Sequence, residues 1–347
     1  MERKTVVSIE GPSFHIDGRP TYAGRSWRGM NVEGLLMNAR LVQGVFDDRN
    51  GETRGWWDYP DGPWDPERNV REFLEAMPTW RAKGLRSFTI NFQGGSPRGY
   101  SRHQPWYNSA FEVDGTLRED YAGRMARVLD RADELGMAPI VGILYFGQEY
   151  RLTDEQAVLA AIDHATDWLL EKHYTNVLVE IANEVNVPRY RWPIVQPPRV
   201  HELIRRVQER SAGKVAGPAG RLLVSASMGG GAIPPPNLVG VADFLLLHGN
   251  GVSEPDRIRE MVDEARAVAG YRGQPVLFNE DDHFDFAKPD NNFLAAVSRG
   301  AGWGYFDYRM EGEGFDEGYQ SVPVNWQISS ARKRGFLDLL EAITGGA

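Results

Sequence analysis

The chain has 347 residues, 41% of them hydrophobic, a formal net charge of −9 and no cysteine. That length admits two average domains or one large α/β barrel. The negative charge argues against nucleic acid or an anionic membrane as partner, since both call for clustered Lys and Arg. Without cysteine, disulfides, thiolate catalysis and zinc–thiolate sites are excluded.

The first residues, Met1-Glu2-Arg3-Lys4-Thr5-Val6-Val7, lack the apolar run of a signal peptide, and no stretch has the length of a membrane span. The expectation is a cytoplasmic protein if the chain is native and complete, and a secreted one if a signal has been trimmed. Next, Phe14-His15-Ile16-Asp17-Gly18-Arg19-Pro20 predicts a hairpin on an Asp-Gly turn, within a plug region over residues 1–25.

Beyond it, short apolar runs alternate with segments of helical period. The runs fall at 27–31, 86–92, 138–146, 176–183, 222–226, 243–248, 275–279 and 303–308. Helical patterns cover 121–135, 154–172, 200–210 and 256–269, with a closing helix at 332–343. Eight strands alternating with helices predict a single (β/α)₈ barrel over residues 1–347. A doubly wound sheet would show the same alternation. It would usually add a Gly-rich phosphate loop, and no G-x-G-x-x-G or P-loop motif is present.

The stretch 32–66 reads as a long first strand-to-helix loop. It carries Trp56, Trp57, Tyr59 and Trp64, which suit either loop packing or flat platforms for sugar rings. No metal-ligating His motif or cofactor fingerprint occurs, so neither metal nor cofactor is expected. The acidic loop 311–317 lacks the ligand spacing of a calcium loop.

Barrel chemistry sits at the C-terminal ends of strands. Strand four reads Asn176-Val-Leu-Val-Glu180-Ile-Ala-Asn183-Glu184, and strand seven reads Pro275-Val-Leu-Phe-Asn279-Glu280. Both are apolar runs that stop on Asn-Glu. A carboxylate at the end of a buried strand is costly unless water or a partner receives it. Two of them facing one another across a mouth suit glycoside cleavage, where one carboxyl donates a proton and the other attacks the anomeric carbon. The bland alternative for each is a salt bridge to a neighbouring arginine.

These strings resemble glycoside hydrolase clan A, whose strand four ends in an Asn-Glu acid/base and whose strand seven ends in the nucleophile. Asp243-Phe-Leu-Leu-Leu-His248 resembles the clan's strand six, Gly302-Trp303-Gly-Tyr305-Phe306 its strand eight, and the opening hairpin its N-terminal hairpin. The resemblance implies a retaining enzyme acting on an equatorial bond (β-type, or α-L-arabino-type), with Glu184 as acid/base and Glu280 as nucleophile. Asn183, His248, Asn31, Asn91, Tyr145, Asn250, Trp303 and Phe306 are the candidate substrate-binding residues. Because Trp303 and Phe306 lie on opposite faces of one strand, one set of residues there lines the pocket.

The chain departs from the cellulase-like members in four places. Their strand-two arginine falls at Thr89 and their strand-three histidine at Leu144 or Tyr145. The strand-six tyrosine is replaced by Asn250 and the strand-eight tryptophan by Phe306. A carbohydrate partner is expected, on oligosaccharides or chain ends. A barrel that binds sugar without catalysis and a transglycosidase using the same carboxylates remain the alternatives.

Overall fold

The computed structural model describes residues 3–346. Eight parallel strand segments succeed one another at Asn38–Ala39, Thr89–Asn91, Ile140–Tyr145, Leu178–Asn183, Leu223–Ser225, Leu245–His248, Val276–Glu280 and Gly304–Tyr305. Each is followed by an α-helix, from Pro66–Ala82 after the first to Ala331–Thr344 after the eighth. Strands two to five form one sheet, six pairs with seven, and eight pairs with one.

Isolated parallel bridges join these sheets: Arg40 to Thr89, Ser227 to Leu246, Leu277 to Gly302 and Asp281 to Tyr305. The architecture is therefore mixed α/β, with short parallel sheets linked in a ring that single bridges complete. It is not one continuous barrel sheet. Part of the reason is local: the register slips between Leu247 and His248, and strands one and eight each keep two residues of regular ladder.

Helix ends follow their sequence signals. Asp65 accepts from the Glu67 amide ahead of Pro66, and Asp154, Asn291 and Ser330 cap their helices in the same way. The helix expected at 154–172 is Glu155–Glu171 with Asp154 as its cap, and the closing helix is Ala331–Thr344.

The first strand is a correction. Residues 27–31 are not a barrel strand but part of a tight hairpin, Ser26–Trp27 against Met30–Asn31, turned by Arg28 and Gly29 at φ +48° and +78°. Two successive left-handed residues make the primed turn that suits hairpin twist. The true first strand lies some ten residues later, so the long loop runs from Arg40 to Asp65.

The ring interior changes character along its axis. Its N-terminal half is apolar, with Leu36, Ile140, Leu178, Leu223, Leu246 and Leu277 in one cluster. The hairpin of Val7–Glu10 and Ser13–Ile16 packs Val7 and Phe14 onto that cluster, with Phe14 edge-on to Phe244 at 6.0 Å. Towards the C-terminal end the interior becomes polar, with Asn38, Asn91, Glu180, Ser225 and Asn279 all buried.

Phe14→Ala should cost about 3–5 kcal/mol of stability by emptying the ring's floor. Chemical denaturation measures this, and a loss below about 1 kcal/mol would mean the hairpin is not part of the core.

Candidate active site

Alternation along strand four puts Leu178 in the inner cluster and Val179 and Ile181 in the outer one. After Asn183 the chain turns sharply: Glu184 sits at φ +51°, a left-handed conformation that side chains other than glycine seldom adopt. Such strain persists where surroundings enforce it. Here the Glu184 amide donates to Ser227 Oγ at 2.9 Å and the Val185 amide to the Ser227 carbonyl. The end of strand five thus holds the turn that aims Glu184 inward.

Strand seven delivers Glu280 to the opposite wall. One carboxylate oxygen of each glutamate and a ring nitrogen of His248 all lie within 4.8 Å of one another. His248 Nδ1 stands 3.0 Å from Glu184 Oε1 and 3.7 Å from Glu280 Oε2. Asn250 Nδ2 donates to Glu280 Oε1 at 2.5 Å.

Arg40 completes the cluster. Its Nε forms an ion pair with Glu280 Oε2 at 2.7 Å, and its Nη1 lies 3.9 Å from Glu180 Oε2, all deeply buried. The sequence reading missed this residue because it had placed strand one too early. Arg40 follows the true first strand and pairs with Thr89, where the strand-two arginine was found wanting. A guanidinium therefore does stand against Glu280, supplied from the neighbouring strand.

The carboxylates open into a cavity of about 250 Å³, walled in part by Tyr145, Phe146, Arg189 and Phe306. A larger cavity, about 720 Å³, lies beside Ile16, Thr21, Arg86 and Thr344 at the other end of the ring and contains neither glutamate. The smaller one carries the chemistry, since the facing carboxylates are there.

Burial pushes Glu280 above the usual carboxylate range. Arg40, His248 and Asn250 pull it back, and the Glu184 charge adds to the rise. For Glu184 burial also acts upward, but the His248 hydrogen bond and charge, with Arg40 and Arg189, win and hold it low. His248 is raised: burial opposes its cation, yet Glu280 and Glu184 together prevail. The low Glu184 and high His248 describe one shared proton on a coupled pair, resting on the imidazole in the empty site. Moving it across the 3.0 Å contact gives neutral His248 and protonated Glu184.

Other candidates divide. Tyr145 and Phe306 line the cavity, and Asn250 touches Glu280. Asn183 is buried beside Glu184 with neither side-chain atom partnered by protein. Three residues fall elsewhere. Asn31 is exposed on the hairpin and donates weakly to the Glu33 carbonyl. Asn91 is fully buried inside the ring against Gly142, where an added Cβ would meet its Oδ1 at 2.2 Å. Trp303 points outward, stacks on Phe293 at 4.8 Å and donates to Asp281 at 2.9 Å. Strand eight thus turns Phe306, not Trp303, towards the pocket.

The aromatics of the first loop are mostly packing. Trp57 and Trp64 are buried edge-on to Phe46, and Trp57 donates to Asp48 at 2.7 Å. His283 is tied to Asp281 at 2.7 Å. Glu184, His248 and Glu280 are close enough to hold a cation, as are Asp281, Asp282 and His283. In the first group Arg40 already places a positive charge on Glu280. In the second, Asp281 is engaged by His283, Asn292 and Trp303.

Comparison with solved structures finds the same fold at low identity. The endo-1,4-β-mannanase of Rhizomucor miehei aligns over 98% of this chain and 99% of its own, at 13% identity and TM-score 0.56. The exo-β-1,4-mannosidase of Opitutaceae bacterium strain TAV5 aligns over 97% of this chain and 62% of its own, at 16% identity and TM-score 0.56. A Bacteroides vulgatus structure, whose glycoside hydrolase assignment is itself provisional, aligns over 93% of this chain and 59% of its own, with TM-score 0.55 at 11% identity. The likeness is one of fold. No family model matches the chain, and no curated protein does. Among the described residues no helix is long and apolar enough to cross a membrane.

The shared proton can be checked directly. By NMR, His248 should titrate above 6.5, the ordinary histidine value, and Glu184→Gln should lower it by removing both a hydrogen bond and a charge. An unchanged His248 titration in that variant would mean the two groups are not coupled.

Proposed function

We propose that the protein is a retaining glycoside hydrolase of the clan A type, reading the bridged ring as a (β/α)₈ barrel. The observation that carries this is the approach of Glu184 and Glu280 within 4.8 Å at a cavity, with Arg40 fixed on Glu280. Retaining glycosidases keep their carboxyl groups about 5–5.5 Å apart, whereas inverting ones leave room for an intervening water. The glycosidase names of the fold neighbours support the same reading.

In the first step Glu280 attacks the anomeric carbon. The glycosidic C–O bond breaks, and Glu184 gives its proton to the departing oxygen. That proton reaches Glu184 from His248 across their hydrogen bond. A glycosyl ester on Glu280 remains. Water then attacks the same carbon, Glu184 takes its proton, and the Glu280 carboxylate is released. Arg40 and the Asn250 amide stabilise Glu280 whenever it is ionised. Asn183, unpartnered beside Glu184, is suited to bind a sugar hydroxyl.

The substrate is a β-type glycoside presented at a chain end or in a short oligosaccharide. The motive is a cavity of about 250 Å³, smaller than the roughly 300–1,000 Å³ usual for ligand pockets. A panel of aryl β-glycosides and α-L-arabinofuranosides identifies the sugar.

Glu280→Gln should abolish turnover, and azide should restore it in Glu280→Gly with a glycosyl azide of inverted configuration. Full activity in Glu280→Gln would end the proposal. Arg40→Met should lower kcat by about 10²–10³, as for loss of one donor at a site of developing charge.

The pH profile of kcat/KM should be bell-shaped. Its acid limb, loss of the Glu280 proton, should lie above 4.5 because that group is raised. Its alkaline limb, loss of the proton shared by His248 and Glu184, should lie above 6.5. His248→Gln should move the alkaline limb to lower pH, since Glu184 then titrates as an isolated buried carboxyl. An unmoved limb would exclude His248 from the proton's path.

A further inference from the structure

We infer that residues 96–102 form a strap that makes the site a dead-end pocket for a terminal sugar, with Tyr100 as its specificity-determining residue. This deepens the reading above and rests on it.

The strap leaves strand two and crosses the mouth, where Ser96, Gly99, Tyr100, Ser101 and Arg102 line the catalytic cavity. It is tied down on several sides. The Val322 amide donates to the Pro97 carbonyl at 2.9 Å, and Gln320 Nε2 to the Ser96 carbonyl at 3.2 Å, both from the loop after strand eight. Arg98 lies over the Trp56 ring at 4.4 Å, on the loop after strand one. The two remaining ties join the strap to the catalytic loops themselves. Tyr100 donates from its hydroxyl to Asp282 Oδ2 at 2.7 Å, two residues beyond Glu280. Arg189, five residues beyond Glu184, donates from Nη1 to the Ser101 carbonyl at 2.6 Å and the Arg102 carbonyl at 3.2 Å.

The strap therefore bridges the two loops whose glutamates must flank the scissile bond. A polymer lying across an open cleft would have to pass between these loops, and the strap occupies that path. Its shape is fixed by Gly99, which has φ +77° and lies so close to Tyr308 that an added Cβ would meet the ring at 2.7 Å. Tyr100 stands edge-on to Phe306 at 5.7 Å and Tyr308 at 5.1 Å, extending the pocket's aromatic wall. It is 57% exposed, so it forms the outer rim of the pocket and is not core packing.

The test compares wild type with Tyr100→Ala and with a variant in which a Gly-Gly link replaces residues 98–102. The probes are 4-nitrophenyl β-D-mannoside and β-D-glucoside, the corresponding reduced β-1,4-tetrasaccharides, and soluble β-mannan and mixed-linkage β-glucan. Wild type should release single sugars from one end and leave polymer viscosity unchanged.

Tyr100→Ala should raise KM for the aryl glycoside about tenfold, the worth of one hydrogen bond to a charged group, with kcat within a few-fold. Either variant should begin to cut polymers internally, read as an early fall in viscosity. Since Tyr100 is largely exposed, its removal should leave Tm near wild type, and that control separates the effect from unfolding. Wild type that lowers viscosity from the outset would overturn the inference, as would a natively folded Tyr100→Ala with unchanged KM and products.

Calorimetry on the same proteins separates the two readings. If wild type binds the tetrasaccharide without turnover and Tyr100→Ala alone binds polymer, the hydrolase reading fails and the strap stands.

Discussion

The ion pair between Arg40 and Glu280 organises the mouth of the ring. Taking a guanidinium and a carboxylate out of water costs several kcal/mol per ion, and their attraction offsets this only with good geometry and further partners. Arg40 stays charged because Glu280 and Glu180 together outweigh its burial. Glu180 is reached in turn by Asn279 Nδ2 at 3.4 Å, and Asn38 Nδ2 donates to the Phe278 carbonyl at 2.9 Å. The polar upper half of the ring is thus a sequence of supports leading to one carboxylate. The apolar lower half, closed by the hairpin, provides the floor on which this costly arrangement rests.

How far the molecule could be read from its sequence depended on how local each signal was. Glu184 and Glu280 stood out because each terminates a continuous apolar run, the pattern of a strand buried on both faces. His248 was legible for the same reason. Strand one was not: its ladder is Asn38–Ala39, flanked by Arg40, so the inward residues that make it useful also erase its apolar pattern. The run at 27–31 looked more like a strand because of Trp27 and Met30, yet the adjacent Arg28-Gly29 pair turns the chain back. Arg40 was lost with the strand it follows. Its signal, a lone arginine after Leu35-Leu36-Met37-Asn38-Ala39, becomes visible once the loop is taken to begin there.

The tryptophans show the opposite error of emphasis. Trp56, Trp57 and Trp64 share one loop and invited a sugar-binding reading, but the loop is long enough to need its own core. Phe46, Trp57, Trp64 and Trp106 supply it edge to face, with Asp48 receiving the Trp57 indole. The residues that wall the pocket are instead Tyr100, Tyr145, Phe146 and Phe306, drawn from three strand ends. Their convergence depends on ring closure, a long-range fact that no window of sequence contains.

Strain and proton placement meet at Glu184. A left-handed residue at this point costs of order 1–3 kcal/mol, and Ser227 helps to enforce it. A relaxed extended backbone would continue the strand and carry the carboxyl away from His248. The strained turn instead holds Glu184 within one hydrogen bond of an imidazole that also senses Glu280 at 3.7 Å. When Glu280 is ionised, its field favours the proton on His248. When Glu280 is consumed as a sugar ester, that field vanishes and His248 loses its largest source of stabilisation. The imidazole is then less basic during the second step, when Glu184 must accept a proton from water. The geometry of one turn thus couples the charge on the nucleophile to the readiness of its partner.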